Sequence, residues 1–575
     1  MTKNYIGLAV TSHDPALAIV NSKGKVVFAE ATERYLQNKR AYNAPTEDLI
    51  RMAPLLEKYM EKGADVVINM TWKKPGFLDR LIGGYIIKKL VPKDLPFQWS
   101  EYAESSIAIL SKNLDMGGLI TGWQAKSNNP GVKWERRYHD HHLTHATFAA
   151  YASPFEEAVC LVFDGSGERF ISMAFYHYKN GNLTPLNFRI PLGHYSLGLY
   201  YEFICNALGF SSIKGEEWKV MGLASYGKFD EKIYTILKKM LFIKDGHVVR
   251  GKECLSIQRQ IAAIGRKKGQ PAMDYANFAF TAQYYFCELA ISVMNNVCSK
   301  KISENLIFCG GCALNSSMNG QILDRTGFKN LFIPPAPADD GNAIGAALLG
   351  YKQDYPDFRP GKSFFSPYLG ETLARDSLDK FIKYGPYKTA DLKGQSIHEY
   401  AAALLGRGKI IGWAQGRAEF GPRALGNRSI LADPRSTDIR EKLNVHVKFR
   451  EEFRPFAPSI LHEFGDEYFE HYQESYYMER TLKFRDEVKS RVPGVVHVDG
   501  TGRLQTVRKE WNERYYDLIY AFYRITGIPL LLNTSFNVMG KPIIHSVEDA
   551  VTVFMNAGLD ALVIEDLIFE KLNPS

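Results

Sequence analysis

AVCLVFDGSGERFISMAFYHYKNG (158–181) is the stretch that decides the fold. It predicts a buried strand that ends in the acidic turn DGSGE, then a second strand that closes on an Asn-Gly hairpin turn. Residues 4–30 follow the same plan, with a polar turn at 11–14 between the first two strands. Two copies about 150 residues apart predict a duplicated α/β unit. We expect the acid at each strand end to point into the cleft between the two halves.

Two further segments have the features of an anion cradle. NLIFCGGCALNSSMNGQI (305–322) predicts a strand, a Gly-Gly turn and a helix, and LFIPPAPADDGNAIGAALLG (331–350) predicts a strand, two acids and a helix. Backbone N–H groups at a helix N-terminus attract anions, and Gly310 and Gly311 would let a ligand approach the backbone closely. Together with the duplicated strands, these turns favour an actin-like nucleotide cleft.

Changes in composition along the chain predict its domains. Residues 1–355 are expected to form the duplicated actin-like (ribonuclease-H-like) domain, with halves at about 1–150 and 151–355. Residues 356–395 contain Pro and Gly and lack long periodic runs, which is typical of a linker. Residues 396–575 open with a helix and a strand and close with strand-like runs around a helix, which predicts a second α/β domain with an open twisted sheet.

The overall composition narrows the class of protein. The net charge of +8 is mild for 575 residues and suits anionic small ligands. Dense Lys/Arg runs interleaved with aromatic residues do not occur, so we expect no nucleic-acid partner. The chain lacks a secretory pattern and an apolar run of about 18 residues, and its seven cysteines are scattered, which together favour a cytoplasmic protein without a membrane partner. The basic stretch 80–93 is expected to be a surface helix, and the prevalence of symmetric dimers favours a homodimer.

Four histidines within seven residues suggest a metal site. These are His139, His141, His142 and His145. On a helix, His141 and His145 project from one face and suit a single ion, although the pairs three residues apart also remain possible. Candidate carboxylates are Asp164 and either Asp339 or Asp340. Imidazole with carboxylate favours Fe(II), Zn or a similar divalent ion.

The C-terminal region carries a second cluster, rich in arginine. It lies in QGRAEFGPRALGNRSILADPR (415–435), VKFREEFRPF (447–456), HVDGTGRLQTV (497–507) and LLNTSFN (531–537). The side chains of interest are Arg417, Arg423, Arg428, Lys448, Arg450, Arg454, Arg503, Thr534, Ser535 and Asn537. Guanidinium groups bind phosphate through two hydrogen bonds, and a lysine adds a point charge. This cluster predicts a second anion or nucleotide site.

Taken in order, these strings resemble the O-carbamoyltransferase family, which includes nodulation-factor, antibiotic and toxin carbamoyltransferases. The strings that carry the resemblance are HHLTHA, DGSGE, EEWKVMGLASYG, FCGGCALN, DDGNAIGAA, GRAEFGPRALGNRSILADPR, KFREEFRPFAPS, HVDGTGRLQTV and NTSFNVMGKPI. They span nearly the whole chain.

The resemblance implies a two-step enzyme. Its C-terminal domain is similar to threonylcarbamoyl-adenylate synthases and would convert carbamoyl phosphate and ATP, with Mg²⁺, to carbamoyl-adenylate. The family signature matches Lys448-x-Arg450 and Ser535-x-Asn537. Lys448, Arg450 and Arg503 would neutralise phosphate charge in that step. The other residues assigned to nucleotide or phosphate binding are Asp164, Gly165, Ser166, Gly167, Glu168, Gly310, Gly311, Asn315, Arg417, Arg423, Arg428, Arg454, Thr534, Ser535 and Asn537.

The N-terminal domain is similar to metal-dependent tRNA threonylcarbamoyl transferases. The resemblance implies metal ligands at His141, His145, Asp164 and Asp339, with Fe²⁺ favoured over Zn²⁺ or Mn²⁺. The second acid, Asp340, leaves the register open. The carbamoyl group would pass to a hydroxyl of a small specialised metabolite such as an antibiotic, a toxin or a sugar-like acceptor.

The opening turn HDPALA departs from the family pattern at its last two residues. His13, Asp14 and Lys39 match residues where the acceptor is expected to dock, and Gln37 replaces the usual arginine. His13 is a candidate general base, or else a hydrogen-bonded turn histidine. Two other classes stay open: an ATP-binding actin-like regulatory protein without transfer activity, and a tRNA-modifying enzyme.

Overall fold

The computed structural model describes residues 2–73, 110–168, 171–188, 191, 193–387 and 389–571. The stretch 80–93, expected to be a surface helix, lies outside these residues. The chain forms two compact units. The first contains Met1–Glu33, Arg40–Leu314 and Gln321–Phe365, and the second contains Arg34–Lys39, Asn315–Gly320 and Ser366–Ser575.

The first unit contains two five-stranded sheets. The strands are β1 (Lys3–Ala9), β2 (Ala16–Val20), β3 (Val26–Ala31), β4 (Asp65–Met70), β5 (Trp134–Tyr138), β6 (Glu157–Phe163), β7 (Met173–Lys179), β8 (Asn182–Pro185), β9 (Leu241–Lys244), β10 (His247–Arg250), β11 (Asn305–Cys309) and β12 (Asn330–Phe332). One sheet has the order β3-β2-β1-β4-β5 and the other β12-β11-β6-β7-β8, while β9 and β10 form a separate hairpin.

The two sheets share one topology. In each, the first strand pairs antiparallel with the second and parallel with the fourth, and the fifth strand runs parallel to the fourth. Strands β1 and β2 are buried almost throughout, as expected where both faces of a sheet are covered. This repeated order confirms the predicted duplicated, actin-like α/β fold.

Nineteen α-helices connect these and the later strands in the described residues. They are α1 (Thr32–Leu36), α2 (Leu49–Tyr59), α3 (Leu119–Asn128), α4 (His141–Ala152), α5 (Leu197–Ala207), α6 (Glu217–Ala224), α7 (Glu231–Met240), α8 (Cys254–Ile264), α9 (Ala276–Cys298), α10 (Ser316–Asn319), α11 (Ile322–Arg325), α12 (Asn342–Asp354), α13 (Arg375–Tyr384), α14 (Ile397–Gly406), α15 (Ile439–Lys442), α16 (Gly465–Tyr468), α17 (Asp486–Lys489), α18 (Glu513–Thr526) and α19 (Val547–Asn556). Within the part of the chain that the structure describes, none of the helices has the length and apolar character that a membrane span requires.

The second unit is built on one eight-stranded mixed sheet. Its strands are β13 (Ile411–Ala414), β14 (Arg428–Ala432), β15 (Ala457–Leu461), β16 (Arg480–Lys483), β17 (Thr501–Val507), β18 (Leu530–Ser535), β19 (Ala561–Ile564) and β20 (Leu567–Glu570). They lie in the order β16-β17-β15-β18-β14-β13-β19-β20. This open sheet confirms the second α/β fold. Helix α13 falls within 356–395, the expected linker, and its Leu378 is buried in the core of this unit.

Candidate metal centre and anion site

Helix α4 presents the two histidines that the sequence pairs. Asp140 caps the helix, because its carboxylate accepts a hydrogen bond from the Leu143 N–H at 3.0 Å. His141 and His145 then stand one turn apart on the same face, and both are buried. The face on which they lie is directed at the acids that follow β6 and precede α12.

Those acids complete a compact cluster. Asp164 follows β6, and Asp339 opens the short turn Asp339–Gly341. One ligand atom from each of His141, His145, Asp164 and Asp339 lies within 4.8 Å of all the others. Nε2 of His141 is 3.0 Å from Asp164 Oδ2 and 3.6 Å from Asp339 Oδ1. Nε2 of His145 is 3.8 Å and 3.3 Å from the same two atoms.

The cluster has the chemistry of a divalent metal site. Nε2 of His145 is buried and makes no hydrogen bond to any residue that the structure describes, as expected of a nitrogen that awaits a ligand. Burial by itself lowers the pKa of His141, but Asp339 and Asp164 outweigh it and raise that pKa to about 9. Two imidazoles and two carboxylates with room between them fit Fe²⁺, Zn²⁺ or Mn²⁺.

The other candidates for this centre lie outside the cluster. Nε2 of His139 is hydrogen-bonded to Asn69 Oδ1 at 3.0 Å. The ring of His142 packs against Gly167, and burial, followed by the neighbouring charge of His141, lowers its pKa to about 4. Asp340 accepts a hydrogen bond from the Gly341 N–H at 3.0 Å, and burial, then the charge of Asp14, raises its pKa to about 8. The geometry therefore favours Asp339 over Asp340.

A glycine brings α12 onto α4 and so positions the acids. A Cβ added to Gly345 would lie 1.9 Å from the backbone oxygen of Thr144, so a larger residue cannot occupy this position without moving a helix. The same contact sets Asn342, the first residue of α12, beside His141.

The DGSGE loop supports the cluster through its carboxylates. Asp164 Oδ1 accepts a hydrogen bond from the Gly311 N–H at 3.2 Å, and both oxygens of Glu168 accept from the His141 N–H at 3.0 Å. Gly310 has φ +89° and packs against the Phe163 backbone, so the Gly-Gly turn serves close packing at this strand end.

The remaining loop residues have local roles in the structure. Ser166 Oγ is 3.5 Å from the Gly167 carbonyl, and a Cβ on Gly165 would meet no atom within 4 Å. The side chain of Asn315 caps α10 and belongs to the second unit.

The polar turn at 11–14 builds a second group of charges beside the candidate metal cluster. His13 Nδ1 lies 2.9 Å from Asp14 Oδ2 and 4.0 Å from Asp339 Oδ2. Arg40 donates to Asp14 Oδ2 through Nε and Nη2, at 3.2 and 3.1 Å, and its Nη2 lies 3.0 Å from His13 Nδ1. Sequence reasoning missed Arg40 and selected Lys39, which is exposed and belongs to the second unit. The signal for Arg40 is structural: its φ of +62° is unusual for a residue other than glycine.

In the second unit, buried cations converge. Lys448 is 2% exposed; its Nζ donates to the carbonyl of Ser535, and to the carbonyl and Oδ1 of Asn537 at 3.0 and 2.8 Å. Burial, then the charges of Arg450 and Arg454, hold the pKa of Lys448 well below its usual range. Cations that depress one another's pKa in this way are stabilised by an anion.

Two more arginines share this environment. Burial, then the charge of Arg503, lowers the pKa of Arg423 well below its usual value, and burial lowers that of Arg503 to about 10. Arg450 donates through Nε to Asn444 Oδ1 at 2.7 Å, while its buried Nη2 finds no partner among the described residues. Nε of Arg503 is also buried and has no hydrogen-bond partner among the described residues.

Three other predicted residues serve the framework of this unit. Arg428 is fully buried and donates to the carbonyls of Gln415 and Asn427, at 2.7 and 2.8 Å. Arg417 donates to the carbonyl of Gly370 at 2.9 Å and to that of Leu369. Thr534 lies in β18 and pairs with Ile430 of β14.

Comparison with known proteins identifies the class and then the family. Residues 4–348 match the family described as "Carbamoyltransferase N-terminus", and residues 402–571 match "Carbamoyltransferase C-terminus". Such a chain is a group-transfer enzyme. It belongs to the carbamoyltransferase family, which confirms the resemblance and the expected enzyme class.

Individual proteins show the extent of the likeness. Nodulation protein NolNO of Sinorhizobium fredii is 35% identical over 480 residues, which cover 81% of this chain and 68% of that protein. The uncharacterized protein sll1178 of Synechocystis sp. is 32% identical over 615 residues, which cover 99% of this chain and 97% of that protein. Among solved structures, component A of the (R)-2-hydroxyglutaryl-CoA dehydratase of Acidaminococcus fermentans has a TM-score of 0.31 at 14% identity, covering 61% of this chain and 99% of that chain.

Proposed function

We propose that the protein is an O-carbamoyltransferase that works in two steps at two sites. The second unit would use ATP, with Mg²⁺, and carbamoyl phosphate to form carbamoyl-adenylate. The first unit would transfer the carbamoyl group to a hydroxyl of a small specialised metabolite. The observation that carries the proposal is the presence, in one carbamoyltransferase chain, of a buried cation cluster and a separate cluster of two histidines and two aspartates.

The atom balance defines what the second unit must accommodate. Water would cleave carbamoyl phosphate to carbamate and phosphate, and a carbamate oxygen would then attack the α-phosphorus of ATP, with pyrophosphate as the leaving group. Both products and substrates are anionic, so Lys448, Arg450 and Arg503 would bind them and stabilise the charge that develops on the phosphates. Ser535 and Asn537 hold the ammonium group of Lys448 in place for this task.

In the first unit, His141, His145, Asp164 and Asp339 would hold the divalent ion, with Fe²⁺ favoured over Zn²⁺ or Mn²⁺. Bound there, the ion would supply Lewis-acid polarisation of an oxygen. The acceptor hydroxyl would attack the carbamoyl carbon, AMP would leave with the bridging oxygen, and His13 would accept the hydroxyl proton. The Asp14 carboxylate, itself held by Arg40, would accept the Nδ1–H of His13, which leaves Nε2 for that proton.

The first experiment is pyrophosphate release from ATP, measured with and without carbamoyl phosphate and without any acceptor. We expect pyrophosphate release that depends on carbamoyl phosphate. In Lys448→Met its rate should fall by about 100-fold or more, because the variant lacks the buried cation that would stabilise charge on the phosphates. Lys442→Met is the matched control, since Lys442 lies six residues away, is exposed and pairs only with Asp438 among the ion pairs of the described residues. We expect it to behave as the unaltered protein.

The opposite result has a defined meaning. If ATP binds but carbamoyl phosphate elicits no pyrophosphate, the two-step proposal fails and the ATP-binding regulatory class takes its place. Added tRNA should leave the turnover unchanged; stimulation by tRNA would favour a tRNA-modifying enzyme instead.

A further inference from the structure

The two ring nitrogens of His141 meet different partners. Nε2 faces the carboxylates of Asp164 and Asp339, at 3.0 and 3.6 Å. Nδ1 lies 3.4 Å from Nδ2 of Asn342. An amide nitrogen can only donate, so this orientation of the amide suits only a ring whose Nδ1 carries no proton and whose proton lies on Nε2, beside Asp164.

In this arrangement the side-chain oxygen of Asn342 is left without a hydrogen bond from any described residue. Its side chain is fully buried, and its Oδ1 has no hydrogen-bond partner among the residues that the structure describes. A buried acceptor without a partner destabilises the folded state. Rotation of the amide by 180° exchanges Oδ1 and Nδ2, which are nearly equal in size, and would bring Oδ1 to the position beside Nδ1.

With a metal ion on Nε2, the rotated amide would be the favourable one. A histidine that binds through Nε2 carries its proton on Nδ1, and that N–H needs an acceptor, which in many proteins fixes the tautomer and the orientation of the ring. We propose that Asn342 is a positioning residue for the metal centre: its side-chain oxygen accepts the Nδ1–H of His141 and makes Nε2 the ligand atom. This inference rests on the metal centre of the proposed function.

The surroundings hold both groups in register. Asn342 is the first residue of α12, whose Gly345 packs directly on the Thr144 backbone of α4, so the asparagine cannot withdraw from His141. On another side, the indole of Trp72 stacks on the imidazole of His141, with ring centroids 4.2 Å apart and planes at 26°. The stack fixes the plane of the ring and provides a fluorescent group next to the ligand.

The test measures Co²⁺ affinity by quenching of Trp72 fluorescence, with Trp72→Phe to identify the signal of that indole. Asn342→Leu keeps the size of the side chain and removes the acceptor, and Asn342→Asp keeps an acceptor. Asn69→Leu is the matched control, because Asn69 is also buried and bonds to a histidine, His139, that is outside the ligand set. Thermal unfolding of each variant reports its folding.

We expect Asn342→Leu to weaken Co²⁺ binding by about 10–100-fold, and Asn342→Asp and Asn69→Leu to stay within about threefold of the unaltered protein. Equal affinity in Asn342→Leu would overturn the inference and leave the metal centre standing. Equal affinity in His145→Ala, or no binding by the unaltered protein, would overturn the metal centre and the inference with it.

A second measurement covers the case in which Asn342→Leu does not fold. In the unaltered protein loaded with Zn²⁺ and labelled with ¹⁵N-histidine, the Nδ1 resonance of His141 should be that of a protonated nitrogen, and its Nε2 that of a metal-bound one. A bare Nδ1, or a metal on Nδ1, would overturn the role of Asn342.

Discussion

The two clusters of this carbamoyltransferase differ in how their buried charges are balanced. In the first unit, His141 and His145 each lie within 4 Å of the carboxylates of Asp164 and Asp339, so opposite charges meet. In the second unit, the charges of Arg450 and Arg454 act on Lys448, and burial together with neighbouring cations lowers the pKa values of Lys448, Arg450 and Arg423. The first cluster brings opposite charges together, whereas the second brings like charges together, as a site for an anion would.

This difference in charge balance suits the two-step function proposed above, because each cluster would select a different ligand. A cluster with two carboxylates attracts a metal cation and repels free phosphate, while a cluster of cations does the reverse. The selection of each ligand is therefore a property of charge balance, and substitutions should separate the two sites cleanly.

The largest separation should come from His145→Ala. Loss of one of four ligands should lower Co²⁺ affinity by about 100-fold or more and abolish carbamoyl transfer, since the remaining three donors leave the ion partly unheld. Pyrophosphate release that depends on carbamoyl phosphate should continue almost unchanged, because the second unit is untouched. Lys448→Ala should show the opposite pair of results when carbamoyl-adenylate is supplied. Loss of both steps in both variants would sink the division into two sites.

Next in size is Gly345→Ala, which breaks only the first cluster. The added methyl would meet the Thr144 oxygen at 1.9 Å, and relief requires α12 to move from α4, at a cost of about 3 kcal/mol in unfolding free energy. Metal affinity should fall with it, while pyrophosphate release at a temperature where the variant is folded should persist. Gly361→Ala, where a Cβ would come no nearer than 4.0 Å to Ser363 Oγ, is the control. Equal stability of the two variants would contradict the close packing seen here.

Arg503→Met should have a smaller effect of opposite sign. Without ligand, removal of this buried cation should raise the free energy of unfolding by about 1 kcal/mol. The substitution relieves both the repulsion between neighbouring cations and the cost of burying the Arg503 charge. Pyrophosphate should stabilise the unaltered protein against heat, by mass action, and stabilise this variant less. A variant that is both less stable alone and equally stabilised by pyrophosphate would show that Arg503 does not face the anion.

The smallest effect concerns a histidine whose neighbour is another histidine. Burial, then His247, lowers the pKa of His194 to about 4, the opposite direction to His141. Because the folded pKa lies below the unfolded value of about 6.5, the unfolded chain takes up the proton first and stability falls as the pH drops from 6.5 towards 4. Between pH 7 and pH 5, the free energy of unfolding of His194→Gln should fall by roughly 1 kcal/mol less than that of the unaltered protein. Denaturant titrations at both pH values measure this difference. An identical pH dependence of the free energy of unfolding in the two proteins would contradict this prediction.

The sequence was sufficient for the strand plan and for the spacing of residues on one helix. The duplicated sheets follow from alternating runs and hairpin turns, and the pair His141 and His145 follows from the helical period. Local spacing in the sequence does not show which distant residues a side chain contacts in the folded protein. Arg428 matched the pattern of a phosphate ligand, but its guanidinium donates to backbone carbonyls, because β14 brings it into the interior of the sheet.

Arg40 and Asn342 were missed for the same reason. Arg40 reaches Asp14 only because a left-handed turn at 40 places the segment against the turn at 11–14, where the Asp14 N–H donates to the Arg40 carbonyl at 2.8 Å. Asn342 reaches His141 only because two helices about 200 residues apart in sequence pack at a glycine. Such partners depend on tertiary contacts that no window of sequence contains.

Residues Arg34–Lys39 belong to the second unit, so they are synthesised long before the residues they contact there. The guanidinium of Arg34 donates to the Gly421 carbonyl at 2.7 Å, across 387 residues of chain. A ribosome that adds roughly 5–20 residues per second takes roughly 20–80 seconds to cover that distance. During that interval Arg34 has no Gly421 carbonyl to bind, so a C-terminal piece made without residues 34–39 would lack this contact.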